Sequence, residues 1–342
     1  MTAERLSDAD RARSDRIQRY LQRVGVTDPS AVVIPLADEA SDRRYFRVVP
    51  PSGSSFVLAV YTGPIDYTTL PFVNVAQLFG QIGVPIPATL GHEADLGILA
   101  LEDLGDVTVQ AHVQAAPADS HTAIYRRAVG LIDLLQRRGQ ALASSAYLPY
   151  GLAFDVEKLT WELEFFLEHF LAGYRGAEIS PDARRAICQE FRGLTEELAA
   201  EPRVLCHRDY HSRNLMLHQD RLYVLDFQDA RMGPCTYDLA SLLKDSYVEL
   251  KQQTVEELIA YFLELTRSHV SQTDFQRRFD MMCLQRTLKA LGTFGYQATV
   301  RRNDLYVQYM PRTLRYVGEH LRRYARFERL HELLATHLVE LR

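Results

Sequence analysis

The stretch Val204–Ala230, VLCHRDYHSRNLMLHQDRLYVLDFQDA, restricts the possible folds more than any other part of the chain. Six charged or polar side chains crowd one bend: His207, Arg208, Asp209, His211, Arg213 and Asn214. Two short apolar runs follow, Leu215–Leu217 and Leu222–Leu225, separated by the turn-like HQDR. A hairpin brings the outer ends of its strands together. Asn214, entering the first strand, is therefore expected beside Asp226, leaving the second, with Asp209 on the bend just outside them. One carboxylate, one amide oxygen and a second carboxylate converge in a small region.

Phosphoryl transfer from a nucleotide needs such a set. Magnesium takes hard oxygen ligands, commonly one or two from protein and the rest from phosphate and water. A separate carboxylate accepts a hydrogen bond from the attacking hydroxyl and orients it. The order H-x-D-x-x-x-x-N, hairpin, D-F-x-D matches that requirement in type, spacing and context. Two other readings compete. His207-x-Asp209-x-His211 resembles a zinc or iron hydrolase strand, but no further His-rich segment completes that site and Asn214 goes unexplained. A salt-bridged surface turn does not explain a polar bend set between apolar strands. His207 reads as a buried hydrogen-bonding support for the loop.

The rest of the chain frames this bend. Short β-type runs at Ala31–Pro35, Tyr45–Val49 and Phe56–Tyr61 follow an amphipathic helix at Glu4–Val24, and PPSGSS reads as a hairpin loop. Helical spacing is predicted for Pro71–Gln81, and Gly97–Asp106 reads as an apolar strand ending in an acidic turn. Helical periodicity dominates from His121, over 121–138, 156–172, 181–200, 255–269, 274–298 and 312–341. The pattern predicts an α+β chain of two lobes: residues 1–101 small and β-rich, 102–106 a connector, 107–342 large and mainly helical.

With 342 residues and 47% hydrophobic content, the chain can bury more than one core. Its opening residues lack an apolar h-region, so a secretory signal is not expected. No window suits a transmembrane helix. Four scattered cysteines without a C-x-x-C pair suit reduced thiols in a cytoplasm. Net charge is −5, yet Arg277–Arg342 carries 13 Lys+Arg against 6 Asp+Glu. This basic segment favours a neutral or anionic ligand over a polycation. Its arginines are interleaved with apolar positions, so nucleic-acid binding is not indicated.

At the bend the sequence resembles the aminoglycoside phosphotransferase family, whose fold is similar to that of protein kinases. LALEDLGD (Leu99–Asp106) looks like the hinge where backbone groups hold adenine, which puts Glu102 and Leu104 at the nucleotide. GPCTYDLASLL (Gly233–Leu243) looks like the helix after the metal-binding aspartate, with Asp238 structural. The resemblance implies ATP and Mg2+ as cofactors, Asp209 as catalytic base, and Asn214 and Asp226 as metal ligands. Within that family SDRRYFRV (Ser41–Val48), PFVNVAQLF and MMCLQRTLKALGTF (Met281–Phe294) are similar to the kinases that phosphorylate N-acetylmuramate and N-acetylglucosamine at C1. This similarity implies a sugar kinase of cell-wall sugar recycling; the chain is expected to be a cytoplasmic monomer with no nucleic-acid or membrane partner.

One departure matters. Kinase-like folds carry a strand lysine paired with a helix glutamate to hold the α- and β-phosphates; the aligned positions here are Ala59 and Asn74. Losing both is self-consistent, because either charge alone would be buried unpaired. Ser41 in the preceding loop and Arg43 or Arg44 after it are candidates to meet the triphosphate instead, with Arg44 favoured. Gln285, Arg286 and Lys289 on the late helix, with Tyr210, His211 and Arg213 on the bend, are candidates for the sugar. Other acceptors for the same chemistry, and a non-catalytic nucleotide-binding protein, stay open.

Overall fold

Asp8 and Asp10 in the first turn and Arg23 in the last suit the dipole of α1 (Asp8–Arg23). Ile17, Tyr20 and Leu21 recur at helical spacing and pack on Val48, Leu58, Val60 and Ile98, one face of an antiparallel sheet. The sheet contains β1 (Val32–Pro35), β2 (Arg43–Val49), β3 (Phe56–Tyr61), β4 (Thr89–Glu93) and β5 (Ile98–Glu102), in the order β1-β2-β3-β5-β4. Its other face, with Ala59, Leu99 and Leu101, joins a core continuous with α2 (Pro71–Ile82) and the helical lobe. Pro71 opens α2 and Gly83, at φ 88°, closes it in the left-handed region.

This computed structural model describes residues 8–36, 43–115, 117, 121–267 and 270–342. Ser41 and the expected helix ends at Glu4 and His269 lie outside the described residues. The second lobe is built from α3 (Val109–Ala115), α4 (His121–Ala141), α5 (Val156–Phe165), α6 (Pro181–Ala199), α7 (Tyr237–Leu243), α8 (Gln252–Thr266), α9 (Gln272–Thr299), α10 (Met310–Arg323) and α11 (Glu328–Ala335). Two antiparallel pairs interrupt it: β6 (Arg203–Cys206) with β9 (Arg231–Pro234), and β7 (Leu215–His218) with β8 (Arg221–Val224). Among the described residues no helix is long and apolar enough to cross a membrane.

Two expected helices are interrupted. The run over 312–341 breaks at Tyr324, which is extended and donates its hydroxyl to Asp280 at 2.7 Å. After α5 the chain widens into π-helical turns over Phe166–Tyr174. There α9 lies close: a Cβ on Gly292 would sit 2.9 Å from the Phe166 backbone, and one on Gly295 would collide with the His169 carbonyl. Tertiary contact overrides local periodicity at both points.

Candidate active site

The bend between β6 and β7 is held from below by Asp238 at the start of α7. Its two carboxylate oxygens accept from the amides of His207 (2.7 Å) and Arg208 (3.0 Å). Arg208 sits at φ 91°, a conformation that costs about 1–3 kcal/mol outside glycine and persists only where surroundings enforce it. His207 Nε2 bonds the Leu225 carbonyl at 2.8 Å, tying the bend to the far end of the hairpin. Ser212 donates both amide and hydroxyl to buried Asp245 (2.9 and 2.5 Å). Burial pushes the Asp245 carboxyl up to about 6 against those donors.

The hairpin brings its ends together as expected. The Leu225 amide donates to the Asn214 carbonyl at 2.8 Å, so Asp226 follows directly beside Asn214. Asn214 Nδ2 donates to the Asp209 carbonyl at 2.9 Å, which leaves the side-chain oxygen for a ligand. Asp226, at φ 58°, accepts from Gln228 Nε2 at 2.8 Å and keeps one carboxylate oxygen outside that bond. These hard oxygen donors fit magnesium. Among the described residues no group of three or more His, Cys, Asp or Glu could hold a metal by itself. A metal here needs oxygens from its ligand, and the His207-x-Asp209-x-His211 hydrolase site does not assemble.

Asp209 is ringed by cations. Lys289 Nζ lies 2.8 Å from Oδ1, Arg286 3.7 Å from the same oxygen, and Arg208 Nε 3.7 Å from Oδ2. Burial alone would push this carboxyl up, but Lys289, Arg208 and Arg286 overrule it and hold it well below the usual range. Burial lowers Lys289 against the attraction of Asp209. Burial likewise takes His211 down to about 3, so its imidazole is neutral at ordinary pH.

The other candidates separate. Arg286 and Lys289 face Asp209, whereas Gln285 points inward and donates to Glu162 Oε2 at 2.9 Å. Glu162, absent from the expectations, takes its place at the cavity. It lies between Leu159 and Leu163 on the buried face of α5, where a carboxylate interrupting an apolar stripe was a readable signal. Arg213 stacks on Tyr247 and Tyr306, at 5.0 and 5.4 Å. Tyr210 does not reach the rim; it is buried and donates to the Ala128 carbonyl. Asn74 bridges to the second lobe, donating to Ala146 and accepting from Leu148.

Arg44 is also corrected. It pairs across the sheet with Val60, on the face covered by α1, and lies 4.0 Å from Asp10. Strand alternation turns Arg43 to the cleft instead, 3.8 Å from Asp226.

Two cavities meet between the lobes. A slot of about 310 Å³ has apolar walls from Tyr45, Val57, Leu101, Met216 and Leu225, and includes Glu102 and Leu104. Its edge is fixed by Arg47, which binds Asp103 at 2.7 Å and Asp106 at 2.9 Å. A second cavity of about 830 Å³ holds Asp209, Glu162, Arg286 and Lys289, with Trp161, Phe165 and Tyr296 among its aromatic walls. Such a pair can hold a flat base at one end and a polar acceptor at the other.

The sequence profile of the phosphotransferase enzyme family matches residues 32–272. An N-acetylmuramate/N-acetylglucosamine kinase of Neisseria meningitidis is 34% identical over 94% of this chain and 95% of that protein. A choline/ethanolamine kinase family protein from Mesorhizobium loti superposes with a TM-score of 0.60 at 16% identity, covering 96% and 99% of the two chains. An ADP-bound aminoglycoside phosphotransferase gives 0.59 at 12% identity, covering 90% and 98%. Both structural likenesses support the two-lobed kinase-like fold. With the profile spanning more than half its length, the chain belongs to the phosphotransferase enzyme family, the aminoglycoside phosphotransferase group that the sequence of its bend resembles.

Proposed function

We propose that this protein transfers the γ-phosphoryl group of ATP to the anomeric hydroxyl of N-acetylmuramate, N-acetylglucosamine or both, giving the α-sugar 1-phosphate for cell-wall sugar recycling. The observation that carries the chemistry is Asp209, an ionised carboxylate inside the larger cavity, on the same loop as Asn214 and beside Asp226. The choice of sugar rests on the relative's name and on the cavity. Its lining has seven cations against five carboxylates, which disfavours a polycationic aminoglycoside and suits a neutral or acidic sugar. Aromatic walls suit the apolar face of a pyranose ring.

In this reading adenine lies in the slot against Glu102 and Leu104. Asn214 and Asp226 hold magnesium, which when bound would neutralise charge on the transferring group. Lys289 hydrogen-bonds Oδ1 of Asp209, and Oδ2, with Arg208 Nε 3.7 Å away, is the oxygen that would accept the hydrogen bond of the acceptor hydroxyl. A carboxylate held below its usual range is a weak ground-state base. It orients the hydroxyl and takes the proton late, while most of the rate comes from positioning and charge stabilisation. An anomeric hydroxyl, more acidic than an ordinary alcohol, suits such a base.

An ADP-release assay over N-acetylmuramate, N-acetylglucosamine, glucose, choline and an aminoglycoside tests this. Turnover is expected with an N-acetylated hexosamine and none with its 1-O-methyl glycoside, whose anomeric oxygen is blocked. Turnover of that glycoside, or of no N-acetylated hexosamine, sinks the proposed acceptor. Lys289→Met supplies a second check. Removing the nearest cation raises the Asp209 pKa, so the acid limb of kcat/KM should move to higher pH. An unmoved limb would remove Lys289 as the group that keeps Asp209 ionised.

A further inference from the structure

The two cavities share four described residues: Arg43, Asn214, Asp226 and Gln228. A nucleotide with its base in the slot and its terminal phosphate near Asp209 has to pass this junction. Arg43 is the one cation among the four. Register pairs Arg43 with Tyr61 and Tyr45 with Ala59, so all four lie on the cleft face of the sheet. Ala59 is small and packed into the core, and no charge stands at that position.

Arg43 is built in. Its side chain is only 10% exposed. Nε donates to the Tyr45 hydroxyl at 2.6 Å, and one terminal nitrogen reaches the Tyr61 hydroxyl at 3.4 Å. The guanidinium lies over the rings of Tyr45, Tyr61 and Phe72, at 5.7, 5.9 and 5.8 Å. The other terminal nitrogen is 3.8 Å from Asp226 Oδ1. An aromatic cage of this kind fixes the plane of a guanidinium and limits the entropy lost when it binds a phosphate through two nitrogens.

We infer that Arg43 is the phosphate clamp of the nucleotide site, taking the place of the strand lysine that Ala59 replaces. The inference rests on the nucleotide half of the proposed function and is independent of the acceptor. It assigns Arg43 to the non-bridging oxygens of the inner phosphates.

Calorimetric titration of adenosine, AMP and ADP, with and without Mg2+, separates this role from a structural one. Arg43→Met preserves apolar packing in the cage. It should weaken ADP binding by about 10–100-fold while leaving adenosine within about twofold, because the bonds Arg43 would make to the nucleotide are all to phosphate. Arg43→Lys, a point charge without the planar fork, should fall between, and Arg44→Met should match the unmodified protein. ADP affinity within twofold of the unmodified protein in Arg43→Met overturns the assignment. So does an equal loss of adenosine and ADP, which would mark Arg43 as structural. If the unmodified protein binds ADP no more tightly than adenosine, the nucleotide reading fails and this one with it; retained ADP selectivity without sugar turnover overturns only the acceptor.

Discussion

Asp209→Asn is expected to lower kcat by about 10²–10⁴-fold, the range typical of removing a positioned proton acceptor. The substitution keeps the shape of the side chain and one acceptor oxygen, so the acceptor can still dock. It removes the negative charge that Lys289, Arg286 and Arg208 share within 3.7 Å. Those cations then repel one another in a mostly buried site, and about 3–5 kcal/mol of stability is at risk when a buried pair loses one partner. The pH dependence separates the two effects. Because the folded-state pKa of Asp209 is depressed, its contribution to stability is fully present above the unfolded value of about 3.9. It is lost as pH falls through the folded value. At pH 7 the unmodified protein should therefore be more stable than the variant, and the gap should close only in strong acid. Lys289→Met in the Asp209→Asn background should recover part of the melting temperature but none of the turnover. Turnover in Asp209→Asn within tenfold of the unmodified protein would remove Asp209 as the acceptor of the hydroxyl proton.

The elements that chain-local rules could reach were legible. The bend, the hairpin and the approach of Asp226 to Asn214 depend on contiguous sequence, and the structure reproduces them through the Leu225–Asn214 bond. What failed depended on partners distant in sequence. Arg43 and Arg44 are adjacent, and only the β2–β3 register with the position of α1 decides which one meets the cleft. Gln285 and Lys289 share a helix face, yet α9 is enclosed on so many sides that Gln285 finds Glu162 instead of the cavity. The break at Tyr324 comes where its hydroxyl meets Asp280, 44 residues away. Glu162 is a different case: its place in the stripe Leu159, Leu163, Phe166 was visible in the sequence, but a helical wheel cannot show what lies across from a buried carboxylate.

Asp226→Asn is expected to cost about 10²–10³-fold in kcat, as for other losses of charge stabilisation at a transferring group, and to raise the Mg2+ concentration needed for half-maximal rate. The geometry makes a more discriminating forecast. Asp226 is near two groups at once, accepting from Gln228 at 2.8 Å and lying 3.8 Å from Arg43. Its negative charge opposes a nucleotide phosphate when no metal is present and favours the metal–nucleotide complex when one is. Removing it should leave Mg2+-free ADP binding unchanged or tighter, since Arg43 no longer shares its charge with a carboxylate, while abolishing the gain in affinity that Mg2+ brings. Arg43→Met should show the opposite pattern, with weak ADP binding in the absence of metal and a retained Mg2+-dependent gain. In the double variant the two effects should not simply add, because a cation and a carboxylate 3.8 Å apart are coupled whichever phosphate oxygens they act on. An unchanged Mg2+ requirement in Asp226→Asn would place the metal elsewhere, and with it the purpose of the hairpin that returns this carboxylate to Asn214.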